Sequence, residues 1–164
     1  MAETVQSFKI EVRLSGMIAG DNGAAQHVDK TYAFNFADGT GDAQIGSIYK
    51  ATRTLVSTNE DLDISGGAIK DFQGVALAMT KMKALLVVNN GTAAGNDVAV
   101  KQPSSNGVPF AVAAGDGLNI GPGGLLLLIS PNDGYTVTAG TGDLVNVATD
   151  FSGTYDVLVA GTNA

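Results

Sequence analysis

The side chains on which most enzymes and metal sites depend are absent or scarce in this 164-residue sequence. It contains no cysteine, no tryptophan and one histidine, and charged residues make up only 15% of it. Without cysteine there is no disulfide, no cysteine-ligated zinc and no thiol nucleophile. The single histidine, His27, lies in a segment rich in Gly and Asp, and no Gly-x-Ser-x-Gly sequence accompanies it, so we interpret it as an exposed loop residue. We therefore expect a protein that is not an enzyme.

Positive charge is scarce as well. The chain has 9 Lys and Arg against 16 Asp and Glu, a net charge of −7, and Lys81 and Lys83 are the only close basic pair. An acidic chain without a basic cluster is repelled by nucleic acids, so we expect no nucleic-acid partner. The longest apolar run is Leu125–Ile129, whereas a membrane-spanning helix needs about 20 residues, so we expect no membrane association. The N-terminus lacks the basic flank and apolar core of a secretory signal, which predicts no export.

The pattern that is present is an alternation of apolar and polar residues. It is clearest in two segments, whose apolar members are Phe8, Ile10, Val12 and Leu14 in the first and Tyr32, Phe34 and Phe36 in the second. A period of two is typical of half-buried strands. Shorter apolar runs follow, separated by turn signals such as Asn-Gly, Asp-Gly and Pro-Gly. We predict an all-β fold of about a dozen short strands, an antiparallel β-sandwich of jelly-roll type that forms a single domain over residues 8–164.

One segment fits two interpretations. Ile69, Phe72, Met79 and Met82 recur at helical spacing, but Gly74 interrupts them, and part of the same segment also alternates as a strand does. We predict a turn over residues 69–74 followed by a strand. One short helix is the alternative.

Two groups of acidic residues are candidates for a calcium site. They are Asp38 with Asp42, and Glu60, Asp61 and Asp63. Neither group has the Asp-x-Asp-x-Asp-Gly spacing and distal Glu that supply a calcium ion with about six to eight oxygen ligands. We interpret all of them as solvated carboxylates at turns and strand edges, and we expect no metal and no cofactor.

The aromatic residues are expected in the core, because most of them fall on the apolar sides of strands. They are Phe8, Tyr32, Phe34, Phe36, Tyr49, Phe72, Phe110, Phe151 and Tyr155. Tyr135 follows a Pro-Asn-Asp-Gly turn and is the aromatic residue expected to be partly exposed.

Several stretches of the sequence resemble small virion proteins of tailed bacteriophages. They are EDLDIS at residues 60–65, FQG at 72–74, KALLVVNN at 83–90, GPGGLLLLISPNDGYTVTAGTGDLVNV at 121–147 and YDVLVAGT at 155–162. The likeness covers roughly residues 32–162 and does not include the first thirty residues. It implies a β-sandwich structural protein, such as a capsid decoration or cement protein or a tail or collar component, with no catalytic residues to carry over.

Composition and resemblance together predict a non-enzymatic phage virion protein that binds and stabilises the capsid exterior. A tail-associated adhesin or carbohydrate-binding β-sandwich module is the alternative. The expected partners are the major capsid protein or another virion protein and further copies of the chain, most simply as a trimer, assembled after synthesis in the bacterial host cytoplasm. A flexible N-terminal arm is predicted as an assembly contact, and its residues are Met1, Ala2, Glu3, Thr4, Val5, Gln6 and Ser7.

Overall fold

The chain folds as β-structure in the computed structural model, which describes residues 7–19, 25–56, 58–71 and 74–163. Strands hold 87 of the residues in these ranges, and no residue in them is helical. The strands are β1 (Phe8–Ala19), β2 (Ala25–Asp38), β3 (Gln44–Ile45), β4 (Ser47–Val56), β5 (Asn59–Asp63), β6 (Met79–Asn89), β7 (Val98–Lys101), β8 (Gly117–Ile120), β9 (Leu125–Ile129), β10 (Tyr135–Thr136), β11 (Leu144–Thr149) and β12 (Ser152–Asn163). The predicted all-β class is confirmed.

Two of the three sheets pack face to face as a β-sandwich. One has five strands, in the order β10-β6-β12-β4 with β9 also paired to β6, and the other has four, in the order β5-β11-β7-β8. The main core draws on both sheets. Its members include Tyr49, Leu85, Val87, Tyr155, Val157 and Val159 from the first sheet and Leu62, Val98, Val100, Val145 and Val147 from the second. The jelly-roll strand order stays a prediction.

The central strand β12 is apolar on both of its faces. Tyr155, Val157 and Val159 join the main core, whereas Leu158 and Ala160 belong to a second cluster on the other side of the sheet. A strand that is apolar on both faces has to be covered on both. The second cover comes from the third sheet.

The third sheet packs on the outer face of the five-stranded sheet. It consists of β1, β2 and the short strand β3, which runs parallel to β2. Phe36 and Ile45 from this sheet form the second buried cluster with Ala84 and Ala160. The fold therefore has three layers at this end, one more than the predicted sandwich.

Gly161 marks the closest approach between β12 and β6. The register of the two strands shifts between Ala160 and Gly161. A Cβ atom at residue 161 would lie 2.1 Å from the carbonyl oxygen of Lys81, closer than any side chain allows. The bulge therefore requires glycine at this position.

Residues 69–82 contain a turn followed by a strand, as the preferred interpretation predicts. The amide of Asp71 donates to the carbonyl of Val75 at 2.8 Å, and Lys70 bridges to Ala76, so the chain reverses here. The regular strand β6 starts only at Met79. The helical alternative is not adopted in the described part of the segment, which leaves out residues 72 and 73.

The first two strands are longer than predicted, with 12 residues in β1 and 14 in β2. The apolar alternation had marked only residues 8–14 and 32–36. The predicted N-terminal arm falls on residues 1–6, outside the described residues, and on Ser7, which is exposed immediately before β1.

Candidate assembly surface

Strands β1 and β2 form a long antiparallel hairpin that leaves the body of the molecule. They pair without a break from Phe8 opposite Phe36 to Ala19 opposite Ala25. Every side chain of residues 13–18 and 25–33 is exposed, on both faces of the ribbon. We call residues 12–19 and 25–32 the projecting hairpin. At about 3.4 Å per residue, its strands extend for roughly 27 Å.

One face of the projecting hairpin is apolar although it is exposed. Residues paired across a hairpin share a face, and successive pairs alternate between faces. This face carries Val12, Leu14 and Ile18 from β1 and Val28 and Tyr32 from β2, and its other members are Gly16, Gln26 and Lys30. Leu14 is 51% exposed, Ile18 63%, Val28 47% and Tyr32 48%. An exposed cluster of large apolar side chains marks a surface for contact with another molecule.

The opposite face is charged and internally paired. Nε and Nη2 of Arg13 each donate to a carboxylate oxygen of Asp29, at 3.2 Å. His27 also lies on this face, opposite Met17. It is exposed, as predicted, but it belongs to β2, so its assignment to a loop was wrong. This face therefore carries the Arg13–Asp29 ion pair together with one large exposed apolar side chain, Met17, which is 65% exposed.

An apolar groove runs between β1 and the outer face of the five-stranded sheet. Its volume is about 810 Å³ and its floor consists of Leu86, Leu125, Leu127 and Leu158. Leu158 lies opposite Leu86, which lies opposite Leu127, so these leucines form one row across three strands. Residues 8–13 of β1 form the wall. Because Val12 belongs to this wall and to the apolar face of the projecting hairpin, the groove and the hairpin present one continuous apolar surface.

Strand β9 borders this groove and is an open edge of the five-stranded sheet. Among the described strands it pairs only with β6. The amide of Ser130 donates to the carbonyl of Lys83 at 2.9 Å, which sets the phase of the ladder. Leu125, Leu127 and Ile129 consequently direct their backbone N–H and C=O groups away from β6. An unpaired edge of this kind is a place where another strand can add.

A second apolar cleft opens on the other side of β9. Its volume is about 320 Å³, and residues of both sandwich sheets line it, including Phe110, Leu118, Leu126 and Leu128. Leu118 is 59% exposed, and Val112, which also lines the cleft, is fully exposed. Strand β9 thus has open apolar surface on both faces, which accounts for its unbroken apolar sequence.

A polar cluster joins the two sandwich sheets. The Glu60 carboxylate on β5 accepts hydrogen bonds from Nε of Arg53 at 2.8 and 2.9 Å and from the Tyr155 hydroxyl at 2.6 Å. Nη1 of Arg53 donates to the Tyr49 hydroxyl at 2.9 Å. Burial raises the pKa of Glu60, but the bonds from Arg53 and Tyr155 outweigh it and hold that pKa below its usual value. The interpretation of Glu60 as a solvated carboxylate was therefore wrong, because its strand turns this side chain inward.

The Tyr155 hydroxyl is held as a donor by the same cluster. Burial, and then the hydrogen bond to Glu60, raise the pKa of Tyr155 well above its usual value. The phenol therefore stays protonated. The two sheets are joined by the ion pair of Arg53 with Glu60 and by the hydrogen bond that the neutral Tyr155 hydroxyl donates to Glu60.

Asp38, Asp42 and Asp61 are exposed, as predicted for solvated carboxylates, whereas Asp63 is half-buried. Asp61 accepts a hydrogen bond from Nδ2 of Asn146 at 2.7 Å, while Asp63 accepts backbone amides of the turn after β5. Within the described ranges, no group of three or more His, Asp or Glu side chains is placed to hold a metal ion together.

The buried side chain of Lys83 stabilises a turn. It is 2% exposed, and its Nζ donates to the backbone carbonyls of Pro131, at 3.0 Å, and Asn132. Burial lowers the pKa of Lys83, with the charge of Asp42 opposing that shift. The ammonium group therefore holds the turn between β9 and β10.

Most aromatic residues lie where the sequence predicts, in the core or packed against it: Phe8, Phe34, Phe36, Tyr49, Phe110, Phe151 and Tyr155. Tyr135 packs partly buried against the main core, in line with its predicted partial exposure. Tyr32 was expected in the core but lies on the projecting hairpin, because the alternation that placed it continues beyond the end of the sheet below. Phe72 is outside the described residues.

The exposed apolar face of the projecting hairpin was not predicted from the sequence. The alternation read at residues 8–14 continues to Ile18 on β1, and on β2 it begins at Val28. That longer alternation was the available signal. It shows which side chains share a face, but it does not show whether anything covers that face.

No family model, no curated protein and no solved structure matches this chain. The described part of the chain contains no helix with the length and hydropathy needed to cross a bilayer.

Proposed function

We propose that this protein is a non-enzymatic structural component of a tailed-phage virion that binds the capsid exterior as a decoration protein. The observation that carries the proposal is the open apolar surface formed by the projecting hairpin, the leucine-lined groove and the cleft on the other side of β9. A surface of this extent, open and without a cluster of reactive groups along it, suits contact with other proteins. The resemblance of residues 32–162 to phage virion proteins supports the same conclusion.

The distribution of charge supports a role in assembly. Residues 33–164 hold 6 of the 9 basic and 12 of the 16 acidic residues, a net charge of −6, whereas residues 8–32 hold 3 of each and are neutral. The acidic charge disfavours contact between two bodies. The neutral hairpin can approach an acidic partner without that repulsion.

The proposed partners are the major capsid protein and further copies of this chain. A trimer is the expected state, because a small structural protein that sits on a symmetric shell matches its local symmetry. Its place is the outside of the capsid, which it reaches after synthesis in the host cytoplasm.

Co-sedimentation tests this proposal. Purified protein is mixed with expanded capsids that lack it, made by the phage whose genome carries its gene, and the capsids are pelleted. We expect the protein to pellet with the capsids up to a fixed ratio and to raise the temperature at which they open. A protein that stays in the supernatant, and that mass spectrometry does not find in purified virions, would refute the proposal.

One further cleft favours the alternative function as an adhesin or carbohydrate-binding module. It has a volume of about 290 Å³ on the four-stranded sheet and is lined by Asp97, Ala99, Lys101, Asn119, Ala148, Thr149 and Asp150. Several of these side chains donate or accept hydrogen bonds as sugar hydroxyls require. No aromatic platform lines the cleft, and this weakens the alternative.

A glycan array with the Lys101→Ala and Asn119→Ala variants separates the two functions. Binding of a host glycan that both substitutions abolish, together with failure to pellet with capsids, would replace the decoration role with adhesion. Capsid binding that neither substitution changes is the result expected from the proposed function.

A further inference from the structure

We propose that the projecting hairpin of one copy docks, apolar face down, in the leucine-lined groove of a second copy. The inference rests on the self-association proposed above and names the two surfaces that produce it. On one side are Leu14, Ile18, Val28 and Tyr32, and on the other Leu86, Leu125, Leu127 and Leu158.

The projecting hairpin needs a cover. A two-stranded ribbon is at best marginally stable in water and is normally held by a third strand or by packing on another layer. The base of this hairpin has such a layer, because Phe8 and Phe36 pack over Ala84 and Ala160. Beyond Val12 that support ends while the apolar alternation continues, so the exposed face is complementary to an apolar surface outside its own body.

The hairpin cannot reach the groove of its own chain. Its two strands pair continuously from Phe8 to Ala19, with no bulge at which the ribbon might fold back. Residues 8–13 of β1 already form the wall of that groove. The outer part, which continues the same strand, is therefore carried away from the floor.

Charge favours a second copy as the occupant. Contact between two bodies brings net charges of −6 together, whereas docking brings the projecting hairpin, whose charged residues are Arg13, Lys30 and Asp29, onto a floor made only of leucine. Arg13 and Asp29 neutralise one another on the opposite face of the hairpin, which stays in water. Lys30 lies on the docking face, with its Nζ 5.6 Å from the centroid of the Tyr32 ring, so its long side chain has to extend to the rim of the contact to keep the ammonium group in water.

In the proposed trimer the contact closes into a ring. The hairpin and the groove are adjoining but distinct parts of each chain's surface, so the contact is heterologous, and repeating it joins copies head to tail. A ring leaves every hairpin and every groove occupied, so the apolar surface that stays open to the capsid is the cleft on the other side of β9. The expected trimer is the smallest ring in which two copies do not exchange hairpins with each other: each copy receives a hairpin from one neighbour and gives its own to the other.

The first test measures how a charge introduced on either face of the hairpin changes the oligomeric state. The mass of the full-length chain is measured by light scattering and sedimentation for the wild type, Leu14→Glu and Ser15→Glu. Residues 14 and 15 are exposed neighbours on opposite faces. We expect Leu14→Glu to weaken association at least tenfold and Ser15→Glu to leave it unchanged, with equal melting of both variants showing that the fold is intact.

Disulfide trapping locates the contact, since the chain has no cysteine of its own. Leu14→Cys protein mixed with Leu125→Cys protein and mildly oxidised should yield a covalent heterodimer, and Ser15→Cys with Leu125→Cys should not. Preferential Leu14→Cys homodimers would overturn the inference in favour of hairpin-to-hairpin contact. An oligomer that Leu14→Glu does not disturb would overturn the inference alone. A monomeric wild type would overturn self-association as well, while capsid binding keeps its own test.

Discussion

Replacing Glu60 by glutamine tests whether the polar cluster holds the two sheets of the sandwich together. The substitution keeps the size of the side chain but removes the charge that accepts from Arg53 and Tyr155. Hydrogen bonds to a charged group contribute about 1.5 to 3 kcal/mol. The Glu60 side chain is 20% exposed and that of Arg53 34%, so water compensates part of the loss. We expect the free energy of unfolding to fall by about 2 kcal/mol, a decrease in Tm of roughly 4 to 8 °C.

The pH dependence of that difference is the sharper measurement. Because the pKa of Glu60 is lowered in the folded protein, its carboxylate stabilises the fold fully above the unfolded pKa of about 4.3 and loses this effect as the pH falls through the folded value. Urea unfolding of the wild type and Glu60→Gln should therefore differ at neutral pH, and the difference should shrink as the pH falls below about 4.3.

Asp61→Asn is the matched control. It removes a charge from the next residue of the same strand, where the carboxylate is exposed on the opposite face. Its effect should stay within about 0.5 kcal/mol. Equal losses from the two substitutions, or a Glu60→Gln loss that does not change with pH, would refute a cross-link between the sheets.

Three further substitutions probe the packing, each by urea unfolding against an exposed control. Leu85→Ala removes a fully buried side chain from the main core and should lower the free energy of unfolding by about 3 kcal/mol. Val56→Ala, at a side chain that is 65% exposed, should lower it by less than about 1 kcal/mol. Similar losses from the two substitutions would mean that the core is misplaced. Gly161→Ala should cost at least about 2 kcal/mol because its Cβ meets the Lys81 carbonyl, and Gly16→Ala, with open space around it, should be tolerated. Asn89→Asp loses the donors to the carbonyls of Asn96 and Ile120 and should cost about 3 kcal/mol, while exposed Asn90→Asp should be near neutral.

The alternation of apolar residues was a sound guide to strands and faces. Along β5 it separated Leu62 from Asp61 and Asp63, and the structure buries Leu62, leaves Asp61 exposed and leaves Asp63 half-buried. The same logic applied to Glu60 would have placed it on the inner face beside Leu62, but a carboxylate at such a position was interpreted as solvated because its partners were not visible. Arg53 lies 7 residues away and Tyr155 95 residues away, so only the pairing of β4 with β12 brings both to Glu60.

The sequence also does not show which apolar faces are left exposed. Leu14 and Phe36 both sit on apolar positions of alternating strands, yet Phe36 is 3% exposed and Leu14 51%. Their sequence contexts do not distinguish them. The difference is that Phe36 lies over Ala84 and Ala160, whereas the strand carrying Leu14 has run past the sheet that supports it.

The sequence by itself determined that this is an all-β chain, where most of its strands lie and which residues along each strand share a face, because backbone pleating is local and repeats every two residues. The tertiary structure alone decided which of those faces are covered, that a third sheet lies on the sandwich, and that β9 is left as an open edge between two apolar clefts. Burial depends on strands that are distant in sequence, and their order in a sheet follows from the packing of the whole chain.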